Sequence, residues 1–133
     1  MINIQNVLLV DDDQNLRRIG KLALERVGRW DVATAASGAE VMELVRQNRP
    51  DVILLDVMMP GMDGTETLRV LKGDKSTAAI PVILMTAKIQ THELTSYLTL
   101  GASGIIAKPF DPLKLPSEIS TILSHCVACQ ART

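Results

Sequence analysis

Five short strand-like runs punctuate the chain, and each is followed by a stretch whose apolar residues recur at helical spacing. The runs are Val7 to Val10, Asp31 to Ala35, Val52 to Asp56, Pro81 to Thr86 and Gly104 to Ala107, mainly apolar except for Asp31 to Ala35, which is rich in β-branched or small residues. Uninterrupted apolar runs bounded by turn residues are the pattern of strands buried on both faces. After the first run, Leu16, Ile19, Leu22, Ala23 and Val27 predict a helix that stops at Gly28. Asp13 is its N-cap. Ser37 and Glu40 form a capping box that opens a second helix through Val41, Leu44 and Val45, ending before Pro50. Asp63 and Glu66 repeat that spacing ahead of a third helix over about Thr65 to Lys72. A polar loop, Gly73 to Ala79, leads into the fourth run, where Pro81 takes the first strand position because a missing N–H matters least there. The fourth helix spans His92 to Leu100 and closes at Gly101. Asp111 and Pro112 look like a helix start, but Pro116 would clash with the preceding turn of one continuous helix. A loose turn over Pro112 to Leu115 is therefore predicted. The regular helix then starts near Pro116 and buries Ile119, Ile122, Leu123 and Cys126.

Five strands alternating with five helices imply parallel β-α-β units and an α/β three-layer sandwich. With right-handed crossovers, a flavodoxin-like order of 2-1-3-4-5 sets the ends of the first and third strands side by side, at the switch point where open sheets hold ligands. Asp11 and Asp12 then stand next to Asp56.

Size and composition narrow the classes. A chain of 133 residues forms a single domain, 1–133, with a core of about 7–126 and a short C-terminal tail. Trp30, Tyr97 and Phe110 are the only aromatic residues, so the core must be aliphatic. A formal net charge of −1 gives no bulk electrostatic reason to bind nucleic acid. No apolar run approaches the ~18 residues of a membrane helix. The first residues lack the basic region of a signal peptide, and two cysteines without an export signal point to reduced thiols in a cytoplasm. His125, Cys126 and Cys129 read as a frayed helix end, since a zinc site wants four ligands. His92 reads as a solvated helix residue. Met58, Met59 and Met62 share one loop and cannot all be buried.

Three carboxylates at one edge need an explanation. Like charges ~4 Å apart repel by roughly 4 kcal/mol at an effective dielectric of 20. A whole domain is stable by only ~5–15 kcal/mol, so the cluster calls for a cation. Hard oxygen ligands with room for water suit Mg²⁺, with Mn²⁺ as the alternative. One carboxylate could attack phosphorus and become an aspartyl phosphate, with the Thr86 hydroxyl and the Lys108 amine ending the neighbouring strands and meeting the phosphoryl oxygens.

Together VLLVDDD, LLDVMMPGMDG, PVILMTA and GASGIIAKPF, in that order, resemble the receiver domain of two-component response regulators. The resemblance covers about Val7 to Cys126. It implies that Asp56 is the phosphoacceptor and that Asp12, Asp56 and the Met58 carbonyl are direct Mg²⁺ ligands, with Asp11 acting mainly through bound water. It places Thr86, Ala87 and Lys108 at the phosphoryl group and a cis peptide at Lys108–Pro109. A histidine kinase or histidine phosphotransfer protein is the implied donor. The implied output surface is formed by the fourth helix, fifth strand and fifth helix, which also supports phosphorylation-linked homodimers in the family. The chain stops soon after its fifth helix, so it reads as a stand-alone receiver or as one excised from a longer protein. The resemblance implies a switch that catalyses only its own phosphorylation and dephosphorylation and is not otherwise an enzyme.

Two departures from the family pattern stand out. Ile105 occupies the switch position three residues before the lysine, where receivers commonly carry Tyr or Phe. Met58 and Lys88 occupy the positions that tune dephosphorylation, and an apolar Met58 predicts a long-lived aspartyl phosphate. Two rival readings remain. Asp11 and Asp13 form the D-x-D pattern of a haloacid-dehalogenase-type phosphatase, and a phosphorylation-independent interaction module could share the fold.

Overall fold

Alternate residues along the central strands enter opposite layers. In the computed structural model, which describes residues 4–59, 64–87 and 91–124, the chain runs β1 (Asn6–Val10), α1 (Gln14–Arg26), β2 (Asp31–Ala35), α2 (Gly38–Gln47), β3 (Val52–Asp56), α3 (Gly64–Gly73), β4 (Val82–Thr86), α4 (Thr91–Thr99), β5 (Gly104–Ala107) and α5 (Leu115–Ser124). The strands form one parallel sheet in the order β2-β1-β3-β4-β5. Leu8, Val10, Ile53, Leu55, Val82 and Leu84 pack in one layer with Val41 and Val45 of α2 and Leu68 and Leu71 of α3. Tyr97 of α4, Leu100 and Ile105 close that layer. Val7, Leu9, Val52, Leu54, Ile83 and Met85 pack in the other layer with Leu24 of α1 and Leu115, Ile119 and Leu123 of α5.

Every residue of β3 and β4 is buried, polar ends included. Each buried aliphatic side chain contributes about 1.5–3 kcal/mol relative to exposure, which offsets the cost of carrying acids at the strand ends. Register keeps those ends level. Val10 pairs with Leu55, Asp56 with Met85, and Thr86 with Ala107.

Local termination follows the sequence with three adjustments. The Asp13 carboxylate caps α1 by accepting from the Asn15 and Leu16 N–H groups at 2.9 and 3.3 Å. Ser37 stands at the N-cap of α2 but makes no side-chain cap bond. Glu40 instead accepts from the Ala36 N–H at 3.3 Å, so only the acidic half of the expected capping box forms, one residue earlier. Pro81 precedes β4 instead of opening it, yet its carbonyl accepts from the Ile53 N–H at 3.0 Å and so joins the ladder as an acceptor. The loose turn expected up to Leu115 ends one residue sooner, and α5 begins at Leu115. There the Asp111 carbonyl accepts from Lys114 and Leu115 while its carboxylate accepts from Leu113, and Pro116 falls in the first turn, where no donor is missed.

Gly101, at φ +110, turns the chain out of α4, a conformation that side-chain-bearing residues rarely adopt. On α5 Ile119 and Leu123 are buried and Ile122 is half-buried. Of the loop methionines, Met59 is buried while Met58 is 74% exposed. Asp63, Met62, Lys88, His125, Cys126 and Cys129, together with the side chain of His92, lie outside the described residues. Among the described residues no helix is long and apolar enough to cross a membrane.

Candidate functional site

The ends of β1 and β3 deliver the acids. Asp11, immediately past β1, is buried and held on every polar atom. Its N–H donates to the Ala35 carbonyl at 3.1 Å and its Oδ1 accepts from the Asp13 N–H at 2.9 Å. Its Oδ2 accepts from Lys108 Nζ at 3.0 Å, and its carbonyl accepts from Arg17 Nη1 at 2.7 Å. Asp12 is exposed. Asp56, the last residue of β3, is 2% exposed and accepts from the Met58 N–H at 3.2 Å. Lys108 Nζ also lies 3.4 Å from Asp56 Oδ2. Carboxylate oxygens of Asp11, Asp12 and Asp56 all fall within 4.8 Å of one another.

Glycine at position 64 allows this geometry. Its N–H donates to the Val57 carbonyl at 3.0 Å, and a Cβ there would come within 2.2 Å of the Asp56 carbonyl oxygen. The first residue of α3 therefore sits directly on the end of β3. On the far side of the crevice, Thr86 is buried at the end of β4 and Ala87 after it is exposed. The Lys108 N–H donates to the Thr86 carbonyl at 2.9 Å, which ties the lysine to the strand carrying the hydroxyl. The Lys108–Pro109 peptide bond is cis. Ile105 is half-buried in the layer with α2, α3 and α4.

Crowding leaves its mark on the acid–base chemistry. Burial, and then the charge of Asp11, push the Asp56 carboxyl up to about 6, against the opposing pull of Lys108 and the Met58 N–H. Burial disfavours the charged form of Lys108, but the hydrogen bond and charge of Asp11, with Asp56 behind them, outweigh it and hold the ammonium above its ordinary range. The ammonium is thus the cation that the acids share here.

The acidic set also fits a divalent ion. An octahedral Mg²⁺ with oxygens at ~2.1 Å spans up to roughly 4.2 Å between opposite ligands, so oxygens already gathered within 4.8 Å need only small movements or an intervening water. Asp13 does not belong to this set, because its carboxylate is spent on the α1 cap. Sequence reasoning missed two contributors. Gly64 could have been noticed as a glycine opening a helix directly after a methionine-rich loop that follows Asp56. Arg17 gave no signal beyond its place in the first turn of α1.

Comparison with known proteins agrees with this geometry. Residues 7–120 match the family described as "Response regulator receiver domain". The chain is 37% identical over 115 residues to the DNA-binding response regulator MtrA of Mycolicibacterium paratuberculosis, covering 86% of this chain and 49% of that protein. It is 40% identical over 118 residues to the transcriptional regulatory protein CseB of Streptomyces avermitilis, covering 89% of this chain and 48% of that one. It therefore spans about half the length of these curated relatives. Among solved structures, the Vibrio cholerae chemotaxis protein CheY4 superposes with a TM-score of 0.83 at 29% identity, covering 90% of this chain and 99% of that one. With the family matched over most of its length and the same fold found in a chemotaxis regulator, this chain belongs to the response regulator receiver domains of two-component systems.

Proposed function

We propose that the chain is a phosphorylation-controlled switch in which Asp56 accepts a phosphoryl group from a phosphohistidine donor, a histidine kinase or a histidine phosphotransfer protein. One observation carries the reading. A buried, partly protonatable carboxylate shares its crevice with two further acids and a lysine that touches two of the three. A bound Mg²⁺, or Mn²⁺ in its place, supplies the positive charge that screens the incoming phosphoryl oxygens. Asp12, Asp56 and the Met58 carbonyl would hold that ion directly. Asp11, whose two carboxylate oxygens already accept from Asp13 and Lys108, would hold it through water.

In the transfer, an Asp56 oxygen attacks phosphorus as the phosphorus–nitrogen bond breaks, and the departing imidazole takes up a proton. Lys108 follows the negative charge from Asp11 and Asp56 to the phosphoryl oxygens. Thr86 donates its hydroxyl to one of them, beside the Ala87 backbone. Its movement would reach the face formed by α4, β5 and α5, where an output protein or a second copy docks. Ile105 gives that face no aromatic to rotate, so the shift of Thr86 itself must carry the signal. No step needs nucleic acid or a membrane, and the reading places the chain in a cytoplasm.

Intact mass and peptide mapping after treatment with acetyl phosphate and Mg²⁺ test the proposal. One phosphoryl group on Asp56, absent in Asp56→Asn, is expected. Label on Asp11 would instead favour an aspartate-nucleophile phosphatase, and an unlabelled chain would favour an interaction module.

A further inference from the structure

The guanidinium of Arg17 projects from the first turn of α1 back onto the end of β1, where Nη1 donates to the Asp11 carbonyl at 2.7 Å. The Arg17 N–H also donates to the Asp13 carbonyl at 3.0 Å, so one residue straps the β1–α1 loop at two points. The carbonyl that Arg17 holds is the peptide group linking Asp11 to Asp12. Asp11 is fixed on its other polar atoms by Ala35, Asp13 and Lys108. Asp12 has no burial to hold it. The orientation of the intervening peptide decides where the Asp12 carboxylate points.

From this geometry we infer that Arg17 is a positioning residue for the cation site: by clamping the Asp11 carbonyl it aims Asp12 at the crevice it shares with Asp56. The inference rests on the cation-dependent reading above and adds a residue to it. A charge-assisted bond to a half-buried carbonyl is among the stronger hydrogen bonds available to a protein. Groups that orient metal ligands from behind typically account for about 10- to 100-fold in affinity.

The sign of the effect separates positioning from charge. Simple removal of a positive charge beside an acidic cluster tightens binding of a cation. Loss of a strap on Asp12 weakens it. Titration calorimetry with Mg²⁺, and Mn²⁺ binding followed by electron paramagnetic resonance, on wild type, Arg17→Met and Arg18→Met give the answer. Arg18 is the exposed neighbour on the same turn and serves as the charge control. Arg17→Met is expected to bind Mg²⁺ about tenfold more weakly or worse, while Arg18→Met matches or exceeds wild type. Arg17→Lys, which keeps the charge and a donor, recovers most of the loss. Arg17→Gln carries the same expectation as Arg17→Met should the latter fail to fold. Affinity of Arg17→Met equal to or tighter than wild type overturns the inference and leaves the phosphorylation reading standing. Wild type that binds no Mg²⁺ overturns both.

Discussion

Lys108 Nζ rests 3.0 Å from Asp11 Oδ2, a contact between residues 97 positions apart that closes the crevice with the chain's own cation. The same amine reaches Asp56, so a single side chain compensates two buried acids. Removing one partner of a buried charge pair costs about 3–5 kcal/mol, because the other charge is left uncompensated. Lys108→Met is therefore expected to lose on the order of 3 kcal/mol near neutral pH without divalent cations. Added Mg²⁺ should restore more stability to the variant than it adds to wild type. Urea denaturation with and without Mg²⁺ measures both, and equal Mg²⁺ effects on the two proteins would count against this account.

The raised Asp56 carboxyl makes a prediction of definite sign. Its folded value is about 6, against an ordinary 3.8. Between those values the folded chain keeps a proton that the unfolded chain has lost, so wild-type stability falls as pH rises through this window and stays lower above it. Asp56→Asn removes the charge and should be more stable than wild type above pH ~7, by on the order of 2 kcal/mol. The gap should close toward pH ~4. Denaturation midpoints across that range, in the absence of divalent cations, check it; a gap that widens toward low pH would contradict the assignment.

Two glycines at opposite ends of α3 should respond oppositely to alanine. At Gly64 a Cβ would meet the Asp56 carbonyl oxygen at 2.2 Å and Val57 Cα at 2.8 Å, both backbone atoms that cannot step aside. Gly64→Ala should cost at least about 1–3 kcal/mol and weaken cation binding as the end of β3 is pushed away. At Gly73 nothing lies within 4 Å of an added Cβ, and Gly73→Ala should stabilise the helix end by up to about 1 kcal/mol. Thermal denaturation of the pair decides.

Under the proposed function, Met58 governs phosphate lifetime. Its side chain is 74% exposed beside Asp56, and a thioether cannot orient an attacking water. Aspartyl phosphate formed on wild type should decay severalfold more slowly than on Met58→Asn, followed by loss of label after the donor is removed. Faster decay in wild type would refute the assignment.

The central strands were legible because a parallel sheet covered on both faces writes itself as unbroken apolar runs, whereas edge strand β2 shows mostly β-branched and small residues. β2, β3 and β5 fall on the predicted residues, and the meeting of Asp11 with Asp56 follows from strand order, while Lys108 joins them by reaching past the end of β4. What escaped depends on side-chain reach or on backbone approach. Nothing in the spacing of Ser37 and Glu40 says that the acid will serve Ala36 while the serine makes no cap bond. Nor does an arginine in a first helical turn announce that it will bend back to a strand-end carbonyl, or a glycine that it abuts Asp56.

The alternation of side chains along β3 and β4 has a practical consequence. Within β3, Asp56 follows the parity of Val52 and Leu54, whose slab contains α1 and α5; within β4, Thr86 follows Val82 and Leu84, whose slab contains α2, α3 and Ile105. The sheet is thus a partition, with the carboxylate rooted in one compartment and the hydroxyl in the other. Trimming Ile119 or Leu24 disturbs the footing of the acid, while trimming Leu68 or Leu84 disturbs the footing of the threonine. Under the proposed function, interior substitutions on the two sides should therefore separate ion capture from signal relay without touching the crevice itself.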